Sequence, residues 1–205
     1  MTRCTHLSAI TILLLFLSSL TKINAKSTSI LDINGHPLEK KSKYFMIPLI
    51  RGHGGGLTML PMNKTCPLYV AQETHEISFG LPLKFYPKDP KRNKIPVDMD
   101  TNIVFDASSI CVKHSGWMLT FDEATGNRYV GIGGSIGNPG METLSNWFVI
   151  SKAENGMYDY KISFCPAICP ACTIMCGDVG VFIGEDGTRF LGLNDRPLVV
   201  MFKKA

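Results

Sequence analysis

Four cysteines within twelve residues, CPAICPACTIMC at 165–176, form the densest group of chemically reactive side chains in this sequence. Four thiolates around a central CxxC could hold a tetrahedral zinc ion, and a CxxC alone could be a redox motif. In an oxidising compartment the same cysteines would instead form two small disulfides. Spacing alone does not decide among these three chemistries, so the compartment has to be inferred first.

The compartment is indicated by the N-terminal residues. Arg3 precedes an apolar run at 10–17, and a polar stretch follows it. This order matches the charged, apolar and cleavage regions of a secretory signal, and the apolar run is too short to span a bilayer. We therefore predict a signal peptide at residues 1–25 and a mature domain at 26–205. The protein is expected to be secreted to the extracellular space, or to reach the vacuole by the secretory pathway.

The cysteine count supports disulfides over zinc. Loss of the signal removes Cys4 from the seven cysteines and leaves an even number, as expected for three bridges in an oxidising compartment. Six cysteines allow 15 pairings in principle, but their order along the chain suggests one. That pairing has one long-range bridge and two nested short ones: Cys66 with Cys111, Cys165 with Cys176, and Cys169 with Cys172.

Charge and length narrow the class of protein. The net charge of +4 falls to +2 when Arg3 and Lys22 leave with the signal, which is too small to favour nucleic acid or an anionic membrane as a partner. A mature chain of about 180 residues suits one domain with a sizeable core. No cysteine is left over for an intermolecular bridge, so we expect a monomer.

The elements that would position these cysteines are short strands. Glycine and proline recur too often for a long amphipathic helix. Asp186-Gly187, between two apolar runs, predicts a tight hairpin turn. Regularly spaced short strands favour an all-β barrel or sandwich. The predicted β-rich runs begin at Tyr44, Leu68, Asn102, Trp117, Asn146, Tyr158, Val179 and Leu198.

The other motifs do not predict a phosphate-binding, catalytic or metal site. The glycine-rich segments at 51–57 and 131–137 have no helix pattern after them, so we interpret them as mobile or tightly turning loops rather than phosphate cradles. The histidines are scattered and no nucleophile elbow occurs, so neither an enzyme nor a metal or cofactor is predicted. Asn63-Lys64-Thr65 is a sequon, which predicts glycosylation of Asn63 in a secreted chain.

One strongly basic segment remains, FYPKDPKRNKIPVDMD at 85–100. Most such charge runs are solvated surface loops. The alternative is an exposed loop held extended for a partner's cleft, with Lys91 or Arg92 as the projecting side chain. Three prolines would lower the entropy lost when such a loop binds. Composition does not choose between these interpretations.

Most of the chain also resembles a known protein family. ILDINGHPLEKKSKYFM, at 30–46, closely resembles the N-terminal signature of the plant Kunitz inhibitors of the soybean trypsin inhibitor type. The likeness continues in order through CPLYVAQ, GLPLKFYP, TNIVF, NWFVI, YKISFCP, CGDVGVFI and PLVVMF, and it covers essentially all of residues 27–205. The nested C-terminal cysteines resemble the miraculin-like branch of that family.

The resemblance implies a β-trefoil, in which six strands close a barrel and six cap it, with the disulfide pairs given above. It also implies a substrate-like protease inhibitor acting through one exposed loop, around residues 88–94. Lys91 falls at the family's primary specificity position and Arg92 follows it; a shift of one residue would exchange their roles. Pro90 would hold the backbone extended. Either cation would pair with the buried acid of a trypsin-like pocket.

The sequence departs from the family at one supporting position. Inhibitory members have an asparagine that braces the loop, and Lys40 stands in its place; an ammonium donates hydrogen bonds but lacks the fixed geometry of a short amide. Two alternatives to a serine protease inhibitor therefore stay open. One is a non-inhibitory storage, defence or miraculin-like protein, and the other is an inhibitor of a cysteine protease or carboxypeptidase through another loop, such as the stapled tip at 165–176.

Overall fold

The computed structural model describes residues 29–153 and 156–205, so the predicted signal peptide at 1–25 lies outside the described residues. Within these two ranges no helix is long and apolar enough to cross a membrane. The regular secondary structure of these residues is almost entirely short antiparallel strands. Their bounds are β1 Tyr44–Pro48, β2 Leu57–Pro61, β3 Leu68–Gln72, β4 Leu83–Pro87, β5 Asp100–Phe105, β6 Gly116–Phe121, β7 Arg128–Gly134, β8 Phe148–Lys152, β9 Tyr160–Phe164, β10 Gly177–Ile183, β11 Arg189–Leu193 and β12 Val200–Lys204, with a 3₁₀ helix at Met141–Asn146.

Six strands close a barrel. β1 pairs with β4, β4 with β5, β5 with β8, β8 with β9, β9 with β12, and β12 returns to β1. The other six form three hairpins, β2–β3, β6–β7 and β10–β11. One strand of each hairpin meets the next in a triangle of β3, β7 and β11, which caps one end of the barrel. This threefold arrangement is the β-trefoil that the resemblance implies.

The barrel is filled by alternate side chains, because successive residues of a strand face opposite sides. Phe85 and Phe202 meet edge to face in its centre, with ring centroids 5.4 Å apart. None of the inward residues is more than 2% exposed, and each strand supplies two: Tyr44 and Met46, Leu83 and Phe85, Ile103 and Phe105, Phe148 and Ile150, Tyr160 and Ile162, Val200 and Phe202.

Three strands were not among those predicted: β2, β4 and β7. The segment at 131–137, interpreted above as a loop, lies largely in β7. Its glycines are needed for close packing, since a Cβ on Gly134 would come within 2.2 Å of the carbonyl oxygen of Trp117. The segment at 51–57 turns tightly and then enters β2, where a Cβ on Gly56 would meet the carbonyl oxygen of Phe79 at 2.0 Å. Backbone proximity, rather than mobility, accounts for both segments.

The predicted hairpin at Asp186-Gly187 is present between β10 and β11. Its turn closes through a hydrogen bond from the Gly187 amide to the Gly184 carbonyl, 3.0 Å, and Gly187 has a φ of 81° that favours glycine. The Asp186 carboxylate accepts the Thr188 amide at 2.9 Å, which lowers the pKa of Asp186 below its usual value.

The structure contains three disulfides. They are the pairs that the cysteine order suggests: Cys66–Cys111, Cys165–Cys176 and Cys169–Cys172. The first joins the turn after β2 to the segment after β5. The other two are nested in the loop between β9 and β10, so the four clustered cysteines staple this surface loop.

One ion-pair cluster, formed by residues just before β1, near the start of β4 and just after β5, gives a pH-dependent prediction. The Asp106 carboxylate lies 2.5 Å from the Lys43 ammonium and 2.6 Å from that of Lys84, and these two cations lower the pKa of Asp106 below 3.8. A carboxyl whose pKa is lowered by folding stabilises the fold above its unfolded pKa and loses that contribution as pH falls through its folded pKa. We therefore expect Asp106→Asn to cost about 1 kcal/mol of unfolding free energy at neutral pH and little near pH ~2.

Urea denaturation at the two pH values checks this expectation. Asp195→Asn is the matched control, because Asp195 is exposed and belongs to no ion pair among residues 29–153 and 156–205. A loss for Asp106→Asn that is equal at both pH values would show that packing, and not charge, is the cause.

Candidate functional site

The basic segment forms the loop between β4 and β5, residues 88–99, and is narrower than the predicted 85–100. Phe85 is fully buried in the barrel, so it belongs to β4 rather than to the loop. Ile95 is also fully buried and anchors the C-terminal half of the loop in the core. The continuous exposed run of the loop is residues 90–94, which contain Lys91 and Arg92, and Asp98 is exposed beyond Ile95.

The loop tip is a turn, so the prediction that Pro90 holds the backbone extended is wrong at this point. The Arg92 amide donates to the Asp89 carbonyl at 3.2 Å, and the Lys91 amide donates to Asp89 Oδ1 at 3.1 Å. Aspartate at the first position and proline at the second are the preferred residues of such a turn, because the carboxylate caps the free amides and proline presets φ. Sequence reasoning missed Asp89, although an Asp-Pro dipeptide is itself a turn signal.

The two candidate specificity side chains differ in their partners. Arg92 folds back onto Asp89, with Nε 3.3 Å from Oδ2. Lys91 is exposed at the third position of the turn, and its ammonium forms no ion pair with any described residue of the chain. The geometry thus presents Lys91 outward, whereas Arg92 is held against the loop.

Beneath the tip, three backbone hydrogen bonds form a closed ring among buried residues. The Ile95 amide donates to Leu38 at 2.9 Å, the Leu38 amide to Ile30 at 2.8 Å, and the Ile30 amide to Ile95 at 2.8 Å. All three side chains are 0% exposed. The segment at 29–40, which supplies two of the three residues, is therefore packed into the core beneath the loop and supports it.

Two barrel tyrosines hold this supporting segment in place. The Tyr160 hydroxyl accepts the Leu31 amide at 2.8 Å, and the Tyr44 hydroxyl accepts the Glu39 amide at 3.0 Å. Both tyrosines are buried, so their hydroxyls use the backbone of this segment as their polar partner. The support of the loop is thereby continuous with the barrel.

Lys40 contacts the loop on both sides of the Lys91–Arg92 bond. Its ammonium donates to the Pro90 carbonyl at 3.0 Å, and its backbone amide donates to the Asn93 carbonyl at 2.6 Å. The residue that departs from the family pattern thus reaches the loop carbonyls. An ammonium can make this contact because its side chain is long enough to span the gap.

Asp100, which sequence reasoning missed, joins the loop to the stapled cysteine segment. Its carboxylate is 2% exposed and pairs with Lys88 at 2.8 Å through Oδ2. Its Oδ1 accepts the Ala167 amide at 2.9 Å. One buried carboxylate therefore fixes the bases of both exposed loops, and no pattern in the sequence relates positions 67 residues apart.

The other predicted site residues lie elsewhere. The segment at 165–176 is mostly exposed and starts beside Asp100, whereas Asn63 is exposed in the turn between β2 and β3, within the cap. No group of three His, Cys, Asp or Glu side chains within 29–153 and 156–205 is arranged to hold a metal ion. The structure thus brings Pro90, Lys91, Arg92 and Lys40 together and leaves Asn63 apart from them.

Comparison with protein families gives one match that spans nearly the whole described chain. The family model described as trypsin and protease inhibitor, of the legume Kunitz type, matches residues 30–204. Among curated proteins, Kunitz trypsin inhibitor 5 of Arabidopsis thaliana is 49% identical over 176 residues, covering 85% of this chain and 84% of that protein. Miraculin of Synsepalum dulcificum is 38% identical over 192 residues, covering 90% of this chain and 87% of that protein.

Comparison with solved structures also gives Kunitz-type inhibitors. A Kunitz-type cysteine protease inhibitor from potato superposes with a TM-score of 0.76 at 31% identity, covering 87% of this chain and 98% of that one. Soybean trypsin inhibitor in complex with porcine pancreatic trypsin gives a TM-score of 0.69 at 27% identity, covering 86% of this chain and 98% of that one.

Proposed function

We propose that this chain, which belongs to the Kunitz family of trypsin and protease inhibitors, inhibits a serine endopeptidase of trypsin-like specificity through Lys91. The family is one of protease inhibitors and not of enzymes. The observation that supports the proposal best is the loop at 88–94, where the Lys91 ammonium has no ion pair among the described residues and lies at the tip of a turn braced on both sides.

In the proposed complex the Lys91 side chain enters the protease's primary pocket and pairs with the acid there. The catalytic serine then faces the carbonyl of the Lys91–Arg92 bond. Cleavage would normally release the segment that begins at Arg92. Here that segment is retained, because Asn93 is bonded to Lys40 and Ile95 to Leu38. Religation can therefore compete with hydrolysis, which makes the loop an inhibitor rather than a substrate.

Two contacts span the bond that would be attacked. Asp89, before it, pairs with the Arg92 guanidinium after it. Lys40 donates to Pro90 before the bond and to Asn93 after it. Both contacts limit how far the two ends could separate if the bond were cut. These contacts support assigning Lys40 and Asp89 as positioning residues of the loop.

The proposal is tested by titrating a fixed amount of trypsin with the purified, oxidised protein. Stoichiometric loss of trypsin activity is the expected result. Rapid cleavage within residues 88–94, or no effect on trypsin, would overturn the proposed target and favour the non-inhibitory, miraculin-like alternative.

A second candidate function is inhibition of a cysteine protease through the stapled segment at 165–176. It is favoured by the exposure of that segment and by the likeness to the potato cysteine protease inhibitor. Titrating papain in parallel separates the two functions. Papain inhibition that survives loss of Lys91 would locate the cysteine protease site outside the loop at 88–94.

Lys40 provides a specific prediction for the loop. Lys40→Met removes the ammonium that bonds the Pro90 carbonyl but keeps the backbone amide that bonds Asn93. We expect about tenfold weaker trypsin inhibition, since one hydrogen bond made by a charged donor is lost, together with faster cleavage in the loop. The inhibition constant and mass spectrometry of the mixture with trypsin measure both effects.

The matched control is Lys41→Met, which removes an exposed neighbouring ammonium for which no hydrogen bond or ion pair occurs among the described residues. It should leave both measurements unchanged. Equal effects of the two substitutions would show that general charge near the loop, and not the brace, supports inhibition.

A further inference from the structure

A cavity of about 520 Å³ lies in the cap, on a part of the surface that the proposed inhibition does not use. It lies between the turn after β2 and the hairpin of β10 and β11. Its volume is within the range of sites for small organic molecules. The residues around it are Met62, Asn63, Asn127, Tyr129, Phe182, Ile183, Gly184, Glu185, Asp186 and Phe190.

The cavity combines aromatic surfaces with polar groups. Phe182 packs against Tyr129 with ring centroids 5.2 Å apart, and Phe182 is only partly buried. The Asn127 amide donates to the Tyr129 hydroxyl at 3.3 Å. Glu185 and Asp186 add carboxylate oxygens on the hairpin side. Aromatic rings with neighbouring hydrogen-bond acceptors match a sugar, which has an apolar C–H face and donating hydroxyls.

The charge of the lining limits the ligand further. Glu185 and Asp186 are the charged residues around the cavity, and both are acidic. An anionic ligand would be repelled by like charges, so a neutral ligand is favoured. N-acetylglucosamine, the first sugar of an N-linked glycan, is neutral.

Asn63 identifies the source of such a sugar, because it is both the sequon asparagine and one of the residues that line the cavity. A sugar attached to its side chain would start at the cavity itself. We propose that the first N-acetylglucosamine on Asn63 occupies this cavity and packs against Phe182, joining the β2–β3 turn to the β10–β11 hairpin. The modification then stabilises the cap, and this inference is independent of the protease target.

The experiment uses the full chain secreted by a eukaryotic host that attaches high-mannose glycans. Three forms are compared by thermal denaturation: the intact glycoform, the same protein trimmed by endoglycosidase H to one N-acetylglucosamine, and Thr65→Ala, which removes the sequon but keeps Asn63. We expect the trimmed form to keep the Tm of the intact glycoform, and Thr65→Ala to melt about 3 °C lower. An unmodified Asn63 by intact mass, or a trimmed form that melts like Thr65→Ala, overturns the proposal.

Two further comparisons separate cavity contact from a general effect of glycosylation. Phe182→Ala should abolish the Tm difference between the trimmed and sugar-free forms; if it does not fold, Ile183→Ala should reduce that difference, since Ile183 is 64% exposed at the cavity. Met141→Asn in the Thr65→Ala background creates a new sequon with Thr143 on the 3₁₀ helix, which packs at the Gly134 end of β7, away from Tyr129 and the cavity, and should not restore the Tm. An undiminished difference in the cavity variant, or full restoration by the remote glycan, contradicts the proposal.

Discussion

Lys91→Ala is expected to weaken trypsin inhibition by roughly 10²- to 10³-fold, the range for removing a central charged anchor from an interface. The side chain projects from a turn and forms no ion pair with a described residue, so its full charge is available to the pocket of the protease. The loss should appear in the dissociation rate, because the removed contact is made in the docked complex. Inhibition constants and dissociation rates for the natural and variant proteins measure it.

Two controls make the result specific. Lys91→Arg preserves the cation and should retain tight inhibition, whereas Arg92→Ala should cost much less than Lys91→Ala because Arg92 is held by Asp89. The Tm of all three variants should lie close to that of the natural protein, since substitutions of exposed side chains change stability little. A larger loss for Arg92→Ala than for Lys91→Ala would reverse the assignment of the two residues.

Replacing both Cys66 and Cys111 by alanine is expected to produce the largest loss of stability among the three disulfides. The bridge closes a separation of 45 residues, and chain entropy gives a cost of about 4 kcal/mol for a loop of that length. Domains of this kind are stable by only about 5–15 kcal/mol, so much of the total would be lost. Urea denaturation without a reductant, so that the other two disulfides stay intact, measures the difference in unfolding free energy between the variant and the natural protein.

The double replacement of Cys169 and Cys172 is the matched comparison. These two cysteines are 3 residues apart, and for a loop of that length the same chain-entropy relation gives a stability cost of about 1.6 kcal/mol. The loop lies on the surface, so little core packing changes with it. Similar losses for the two double variants would show that strain or packing, and not loop closure, determines what each disulfide contributes.

The fold could be predicted from the sequence because several of its signals are local. Apolar runs such as that at Tyr44 mark barrel strands, and Asp186-Gly187 marks a hairpin. β7 was missed because its glycines look like loop residues until the neighbouring backbone is known. Gly134 is required by the carbonyl of Trp117, which belongs to a different strand, so no single-strand pattern contains that information.

The candidate site was predictable in position but not in detail. The family resemblance implies Lys91 as the specificity residue, which stays a prediction, and composition alone indicated a basic loop that the structure shows to be exposed. The turn at the tip depends on the Asp89 carboxylate bonding the Lys91 amide, and the brace depends on Lys40 reaching Pro90 across 50 residues. Such tertiary contacts appear only when the chain is folded.

If a protease cut the Lys91–Arg92 bond, as the proposed mechanism allows, the long disulfide would keep the molecule together. Cys66 precedes the Lys91–Arg92 bond and Cys111 follows it, so the bridge spans the cut and the two fragments remain one covalent molecule. The fragments also share the barrel, because β4 pairs with β5 across the cut. The new chain ends would then be held near each other at a high effective concentration, so religation within one molecule would compete with permanent cleavage of this bond.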